Sequence, residues 1–256
     1  MKNCSDSRLP ELPQDPTTQH LAKTITKWLF EISCIPELST FTETLALPGT
    51  VKNLYTKVLL SYQQYLNHKI NQLRKLGRSP TCREGCAFCC HFMPCGLSSL
   101  EILFLYEAMH DRGILPRIFR RFLERQEVIE EISAEYRKRH IIEGQERDSP
   151  SEEILLSYKQ KQIPCPLLSE NHVCVLYSFR PLVCREYFSC SPPQWCDPSH
   201  PHHLHALRIA LPLPEESQHM LDRIDDAMGF YPPETLAEAL LVFSVNIAGF
   251  KPILWK

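Results

Sequence analysis

The chain has 256 residues and a formal net charge of −2, with 28 Lys and Arg balanced against 30 Asp and Glu. A chain of this length can bury a core without cross-links. The balanced charge gives no general attraction for nucleic acid or for an anionic membrane, so we expect neither partner. The polar start has no apolar stretch after Lys2, which is not typical of a secretory signal and predicts a cytoplasmic protein.

Apolar residues recur at helical spacing over much of the chain. In the first third, this spacing predicts a helix over 17–33 and a longer one over 50–76. The second should end where Gly77 and Pro80 follow it, as helices usually do. Ser98, followed by Glu101 three residues later, has the pattern of a capping box, which predicts a third helix that stops near residue 113.

Further helices are predicted on both sides of an irregular stretch. The charged amphipathic pattern over 116–140 predicts one helix, and Ser149 followed by Pro150 should start another through about residue 162. The pattern is lost over 163–206 and returns after Pro214. In the last helix the apolar run 239–245 is too short for a bilayer and predicts burial.

These elements predict a mainly α protein with an irregular Cys-rich metal-binding module stapled between helices. We divide it into an N-terminal helical region over 1–78, a Cys-rich zinc- or iron-chelating module over 79–210 with two or three internal helices, and a C-terminal helical region over 211–256.

Twelve cysteines need an explanation other than disulfides, because a reducing cytoplasm keeps thiols free. The isolated Cys34 is expected to fill the core as a small hydrophobe, and Cys4 is incidental. The other ten favour metal binding or redox chemistry. They form a first cysteine segment (82–95) with Cys82, Cys86, Cys89, Cys90 and Cys95, and a second cysteine segment (165–196) with Cys165, Cys174, Cys184, Cys190 and Cys196.

The spacing of the first segment is that of a metal knuckle. Cys86-x2-Cys89 lets two thiolates turn toward one ion, as in many structural zinc sites. A metal that joins both segments would stabilise chain with few apolar contacts of its own. Cys89 and Cys90 are neighbours, and in extended chain their side chains would point to opposite sides. The pair therefore indicates two ions, or a cluster with accessory thiols.

The same stretch also has the spacing Cys82-x3-Cys86-x2-Cys89, by which radical S-adenosylmethionine enzymes hold a 4Fe-4S cluster. In those enzymes the motif follows the first strand of a βα barrel. Here it follows a long predicted helix, and no alternating strands come after it. The sequence therefore favours another kind of metal site.

Histidines near the cysteines are further candidates. His200, His202, His203 and His205 follow Cys196 and would suit zinc or iron, although a short His-rich loop is more often a solvated surface feature. His91 and His172 lie inside the two cysteine segments and are better placed as ligands or hydrogen-bond donors. No Ser or Cys can be placed with a His and an Asp, so nucleophilic catalysis has no specific support.

The combination of a tight CxxxCxxCC cluster with a later C…C…YxxRPxxCRxY…C block resembles the YkgJ-like cysteine-cluster family, described as zinc- or iron-chelating domains. The matching motifs lie between about residues 79 and 195, half of the chain. The resemblance implies that Arg180 and Arg185 belong to the site, where they would supply the cations that an anionic centre needs. It also implies eight metal ligands, namely Cys82, Cys86, Cys89, Cys90, Cys165, Cys174, Cys184 and Cys190.

Three functions follow as hypotheses. The first is a metal-dependent binding or accessory module that holds zinc or iron, the iron as an ion or as a 4Fe-4S cluster. The second rests on the similarity of this family to flagellin lysine methylases and is an iron-sulfur-dependent S-adenosylmethionine methyltransferase. The third is metal storage or delivery. The sequence identifies no catalytic residue and no protein partner or substrate.

Overall fold

The computed structural model describes residues 12–83, 85–143 and 151–256. The first five helices are α1 Pro16–Ser33, α2 Phe41–Thr44, α3 Gly49–Lys75, α4 Ser99–Asp111 and α5 Leu115–Glu143. The other four in this part of the chain are α6 Ser151–Gln160, α7 Val183–Glu186, α8 Glu215–Met228 and α9 Leu236–Val242. The prediction of a mainly α protein is confirmed. The polar start before residue 12, with Cys4, and the predicted cap at Ser149 and Pro150 lie outside the described residues.

The strands are short and form two separate pairs. In the first, β1 Ala46–Leu47 lies parallel to β4 Leu254–Trp255. In the second, β2 Tyr187–Ser189 runs antiparallel to β3 Arg208–Ala210. Between α6 and α8 the described chain consists of short turns, α7 and this second pair, as the loss of helical periodicity there predicted.

Helix α1 begins at a side-chain cap and ends at the surface. The carboxylate of Asp15 accepts a hydrogen bond from the Thr18 amide at 2.7 Å, which satisfies one of the free donors of the first turn. Further along, α1 buries Ile25 and Leu29 where it packs on α3 and α8. Cys34 caps its C-terminus and is exposed. The expectation that Cys34 fills the core is therefore wrong, because the helix ends there and turns the side chain to solvent.

Helix α3 ends as predicted and delivers the chain to the first cysteine segment. Gly77 has a φ of 72°, which L side chains rarely adopt, and its amide donates to the Arg74 carbonyl at 3.0 Å. The Arg78 amide donates to the Leu73 carbonyl at 2.9 Å. These two bonds satisfy the last carbonyls of the helix in a Schellman arrangement.

Helix α4 lies at the centre of the molecule. Its capping box is present as predicted, with Ser98 and Glu101 each bonding to the other's backbone. Apolar residues bury on all sides of the helix, including Leu103 and Tyr106, and it packs against α5, α8 and α9. The predicted burial of the run 239–245 holds for Leu240 and Phe243, whereas Val245 is exposed in the π turn that follows α9.

One hydrophobic core draws residues from all three regions that the sequence suggested, among them Leu29, Leu103, Leu182, Ile209 and Leu240. The two cysteine segments are attached to this core through α4 and the β2–β3 pair. Among the helices that the structure describes, none combines the length and apolar character that a membrane span requires.

Candidate metal centre

Backbone hydrogen bonds join the two cysteine segments. The Cys165 amide donates to the Cys90 carbonyl at 2.7 Å, and the Thr81 amide donates to the Ser189 carbonyl at the same distance. The Thr81 hydroxyl adds a bond to the Ser191 carbonyl. These contacts pair residues that are far apart in sequence, so the fold itself brings thiols of both segments to one place.

Tight turns determine where the thiols of the first segment point. The Cys86 amide donates to the Arg83 carbonyl at 3.0 Å, and the Cys90 amide donates to the Ala87 carbonyl at 2.9 Å. Cys89 and Cys90 lie in a single 3₁₀ turn, Phe88–His91, and their thiols hydrogen-bond to each other. The premise that this pair lies in extended chain is therefore wrong, because a 3₁₀ turn sets neighbouring side chains about 120° apart instead of on opposite sides.

Cys82 and Cys86 form a second hydrogen-bonded pair, and it is asymmetric. The hydrogen bond that Cys82 donates lowers the pKa of Cys86 to about 6, and the amides of Phe88 and Arg83 add to this effect. The same bond raises the pKa of Cys82 well above its ordinary value. Cys86 is therefore the thiol of this pair that ionises first, and the thiolate is the form that binds metals. Cys82 accepts a further bond from the Ser189 amide at 3.2 Å.

In the second segment, Cys165, Cys174 and Cys184 lie close enough to interact electrostatically with one another. Cys174 is held opposite Leu168 by an antiparallel bridge, and Cys184 lies on α7. Burial raises the pKa of Cys165 to about 12 and that of Cys184 well above its ordinary value. Cys165 and Cys184 also interact with Cys89, so this thiol of the first segment lies near those of the second.

The three remaining clustered cysteines differ in their surroundings. Cys196 ends the 3₁₀ turn Pro193–Cys196, which packs against Phe88–His91, and it interacts with Cys86 and Cys89. Cys190 packs against the hydrophobic core. Burial raises its pKa, and the charge of Arg78 opposes that rise. Cys95 is buried and its thiol donates to the carbonyl of Met93 at 3.3 Å. The structure thus places Cys196 beside the thiols, although sequence reasoning left it out.

Arg180 and Arg185 have different roles beside the thiols. Burial raises the pKa of both Cys174 and Cys184, and the charge of Arg180, whose guanidinium lies 4.2 Å over the ring of Tyr177, opposes that rise. Arg185 is buried and donates to the carbonyls of Arg180 and Ser178 at 3.0 and 2.6 Å. Arg180 therefore provides positive charge near Cys174 and Cys184, and Arg185 fixes the loop that carries Arg180.

Glu101 has a second contact that sequence reasoning missed. One carboxylate oxygen closes the capping box with Ser98, and the other accepts from the Leu182 amide at 2.7 Å. Leu182 directly precedes α7, so Glu101 fixes the helix that holds Cys184. The capping box was the available sequence signal, and it gives no indication of a partner that lies 81 residues away.

Comparisons with known proteins add no relative at this point. No family model, curated protein or solved structure matches the chain. The resemblance to the YkgJ-like family thus rests on the cysteine and arginine motifs alone.

The histidines are arranged in two groups. His91 Nδ1 lies 2.8 Å from the Gln162 carbonyl, and because a carbonyl oxygen can only accept, Nδ1 carries the proton and donates it. The ring lines a cavity of about 200 Å³ together with Phe88 and His172, directly beside the first thiols. This geometry leaves Nε2 of His91 as the atom with a lone pair.

In the His-rich loop, His200 and His202 stack on Trp195, and His202 and His205 are exposed, as expected for a solvated surface feature. His203 Nε2 lies 3.3 Å from Lys159 Nζ and 3.2 Å from an Arg208 nitrogen. Its lone pair is therefore occupied by cations and is not directed at a metal. Burial, together with these cations, lowers the pKa of His203.

The donor chemistry of the centre fits a thiophilic metal, since soft thiolate ligands select zinc, copper(I) or iron-sulfur clusters. Every cysteine that the structure describes is a free thiol. Within the same residues, no group of three or more His, Cys, Asp or Glu side chains is arranged to hold an ion as it stands. The thiols are therefore grouped by the fold but must move closer to ligate a metal.

Proposed function

We propose that the chain is a metal-binding protein in which thiolates from the two cysteine segments hold zinc or iron, the iron as an ion or as a 4Fe-4S cluster. The observation that carries the proposal is the convergence of free thiols from two segments that are remote in sequence, held together by the Thr81–Ser189 and Cys90–Cys165 backbone bonds. A fold that only used cysteine as a small hydrophobe would not need to gather so many in one place.

The electrostatics of the thiols support the same function. Without a cation, burial keeps Cys165 and Cys184 protonated at neutral pH. A bound metal supplies the positive charge that stabilises thiolates, so binding would release protons and add to the stability of the fold. Cys86, whose pKa is lowered by the hydrogen bond from Cys82, is the natural first ligand. Arg180 supplies further positive charge to the second segment.

The buried hydrogen bonds that hold the backbone around Cys184 support a module with a resident metal more than storage or delivery. Cys184 is fixed through Leu182 to the buried Glu101, and Arg185 fixes the chain before it. Second-sphere hydrogen bonds of this kind orient ligands and raise affinity. Under the methyltransferase alternative, a co-substrate would meet the centre at the cavity beside Phe88 and His91.

The test is anaerobic purification followed by metal analysis and visible absorption, with paired serine variants. We expect bound zinc, which is colourless, or iron, with a broad brown band if a cluster is present. Replacing both Cys86 and Cys165 with Ser should abolish binding, whereas the matched control Cys95→Ser should bind as the native chain does. Metal-free protein that takes up neither zinc nor iron in the reduced state would overturn the proposal. For the methyltransferase alternative, loaded protein that does not bind S-adenosylmethionine would contradict it.

A further inference from the structure

The thiols fall into two overlapping groups. We call them the first thiol group and the second thiol group. The first contains Cys82, Cys86, Cys89 and Cys196, and the second contains Cys89, Cys165, Cys174 and Cys184. Cys89 belongs to both, and Cys90, whose thiol hydrogen-bonds to that of Cys89, is an accessory thiol that belongs to neither.

Ser189 holds the first thiol group together. Its amide donates to Sγ of Cys82 at 3.2 Å, and its hydroxyl lies within hydrogen-bond reach of the Cys196 thiol. Cys86 is hydrogen-bonded to Cys82. The turn Pro193–Cys196 packs against the turn that carries Cys89. One buried serine therefore connects a thiol of the first cysteine segment to one of the second.

The second thiol group is assembled around the end of α6 and the start of α7. The Cys165 amide bonds to the carbonyl of Cys90, beside Cys89. The hairpin that contains Cys174 returns to the same place through the bond from the Val175 amide to the Leu167 carbonyl at 2.8 Å. Cys184 comes from α7, so the partners of Cys89 arise from this hairpin and from α7.

Cys190 belongs to neither group. Its neighbour Ser189 reaches Cys82 through the backbone amide, whereas the charge that acts on Cys190 is that of Arg78 rather than that of a neighbouring thiol. Cys190 packs on the hydrophobic core, while its amide donates to the Leu207 carbonyl at 2.8 Å. This separates Cys190 from Cys196, which interacts with Cys86 and Cys89.

Each group has its own positive charges. Arg83 and Arg208 interact with thiols of the first group. Arg121 interacts with Cys165 and Arg112 with Cys174 in the second. Four-thiolate sites carry a net negative charge that nearby cations must offset. The distribution of arginines thus fits two adjacent anionic centres better than one.

We infer that the protein holds two metal ions in adjacent four-thiolate sites that share Cys89 as a bridging ligand, and that Cys196 rather than Cys190 completes the first. This inference rests on the proposed function. Four thiolates satisfy the tetrahedral preference of zinc at each site. Cys82 and Cys89 are exposed, so their side chains can rotate onto an ion without disturbing the core.

The inference is tested by titrating reduced, metal-free protein with Zn²⁺ and counting bound ions by native mass spectrometry. The native chain should bind two ions per chain. Cys196→Ser should bind half as much zinc, and the matched control Cys190→Ser, six residues away in the same segment, should bind the native amount. Cys89→Ser should weaken both sites, whereas Cys184→Ser should weaken one. Circular dichroism of each variant checks that it is folded.

Three results would overturn the inference while leaving metal binding intact. They are a single ion in the native chain, a loss of zinc in Cys190→Ser with none in Cys196→Ser, or a loss of only one ion in Cys89→Ser. If the native chain binds no zinc and no iron at all, the proposed function itself fails, so the two failures are distinguishable.

Discussion

Replacing Glu101 with Ala should have two effects, a less stable fold and a less firmly held second thiol group. Glu101 is buried, and its carboxylate accepts from the Ser98 amide at 2.9 Å, the Ser98 hydroxyl at 2.8 Å and the Leu182 amide at 2.7 Å. The substitution leaves two backbone donors without a buried acceptor. Each such donor costs about 1 to 3 kcal/mol, so the loss before any compensation is about 2 to 6 kcal/mol.

Part of that loss is offset, because burial raises the pKa of Glu101 and the ionised carboxylate is itself costly to bury. We therefore expect a net loss of about 2 to 4 kcal/mol, a large share of the roughly 5 to 15 kcal/mol that stabilises a typical domain. The Leu182 amide would no longer fix α7, so zinc affinity should fall as well.

Urea denaturation of the metal-free protein measures the loss in the free energy of unfolding, and zinc titration measures the change in affinity. The matched control is Glu107→Gln on the same helix, which loses a 2.7 Å ion pair with the half-exposed Lys52 but does not contact α7. It should cost about 1 kcal/mol or less and leave zinc affinity unchanged. An unfolding free energy for Glu101→Ala within about 0.5 kcal/mol of the native value would refute the reasoning.

Three further predictions concern single groups. The pKa of His203 is lowered by burial, Arg208 and Lys159, so as the pH falls the unfolded chain takes up the proton before the folded chain does. The contribution of His203 to the free energy of unfolding is therefore complete above the ordinary histidine pKa and is lost as the pH falls below it. His203→Gln should therefore flatten the fall in melting temperature between pH 7 and 5, and an unchanged slope would contradict this. Gly77→Ala should lower the unfolding free energy by about 1 kcal/mol from backbone strain alone, because an added Cβ meets no atom within 4 Å; denaturant unfolding tests it, and a neutral or stabilising effect would count against the strain. Arg185→Met removes two bonds to loop carbonyls and should cost about 2 to 3 kcal/mol, and calorimetry that showed no loss would exclude the fixing role.

Much of the fold could be predicted because it depends on local sequence. Apolar periodicity and the capping pattern at Ser98 located the long helices, and Gly77 marked the end of α3. These signals act over one or two helical turns, so a single sequence carries them. The two cysteine segments could be recognised from composition for the same reason.

What could not be predicted depends on contacts between distant residues. The Ser189 amide reaches Cys82 where Thr81 pairs with the end of β2, and no nearby residue indicates that pairing. Cys34 is exposed as the C-cap of α1, and the predicted end of that helix at residue 33 did not show which way the next side chain would point. Whether Cys190 or Cys196 lies beside the thiols is therefore decided by tertiary structure and not by spacing.

The most direct test of metal binding by thiolates is X-ray absorption spectroscopy of the anaerobically purified protein at the edge of the metal that it contains. We predict a first coordination shell of sulfur alone, at about 2.3 Å if the metal is zinc. A shell dominated by nitrogen or oxygen, as histidines or carboxylates would give, would contradict the account.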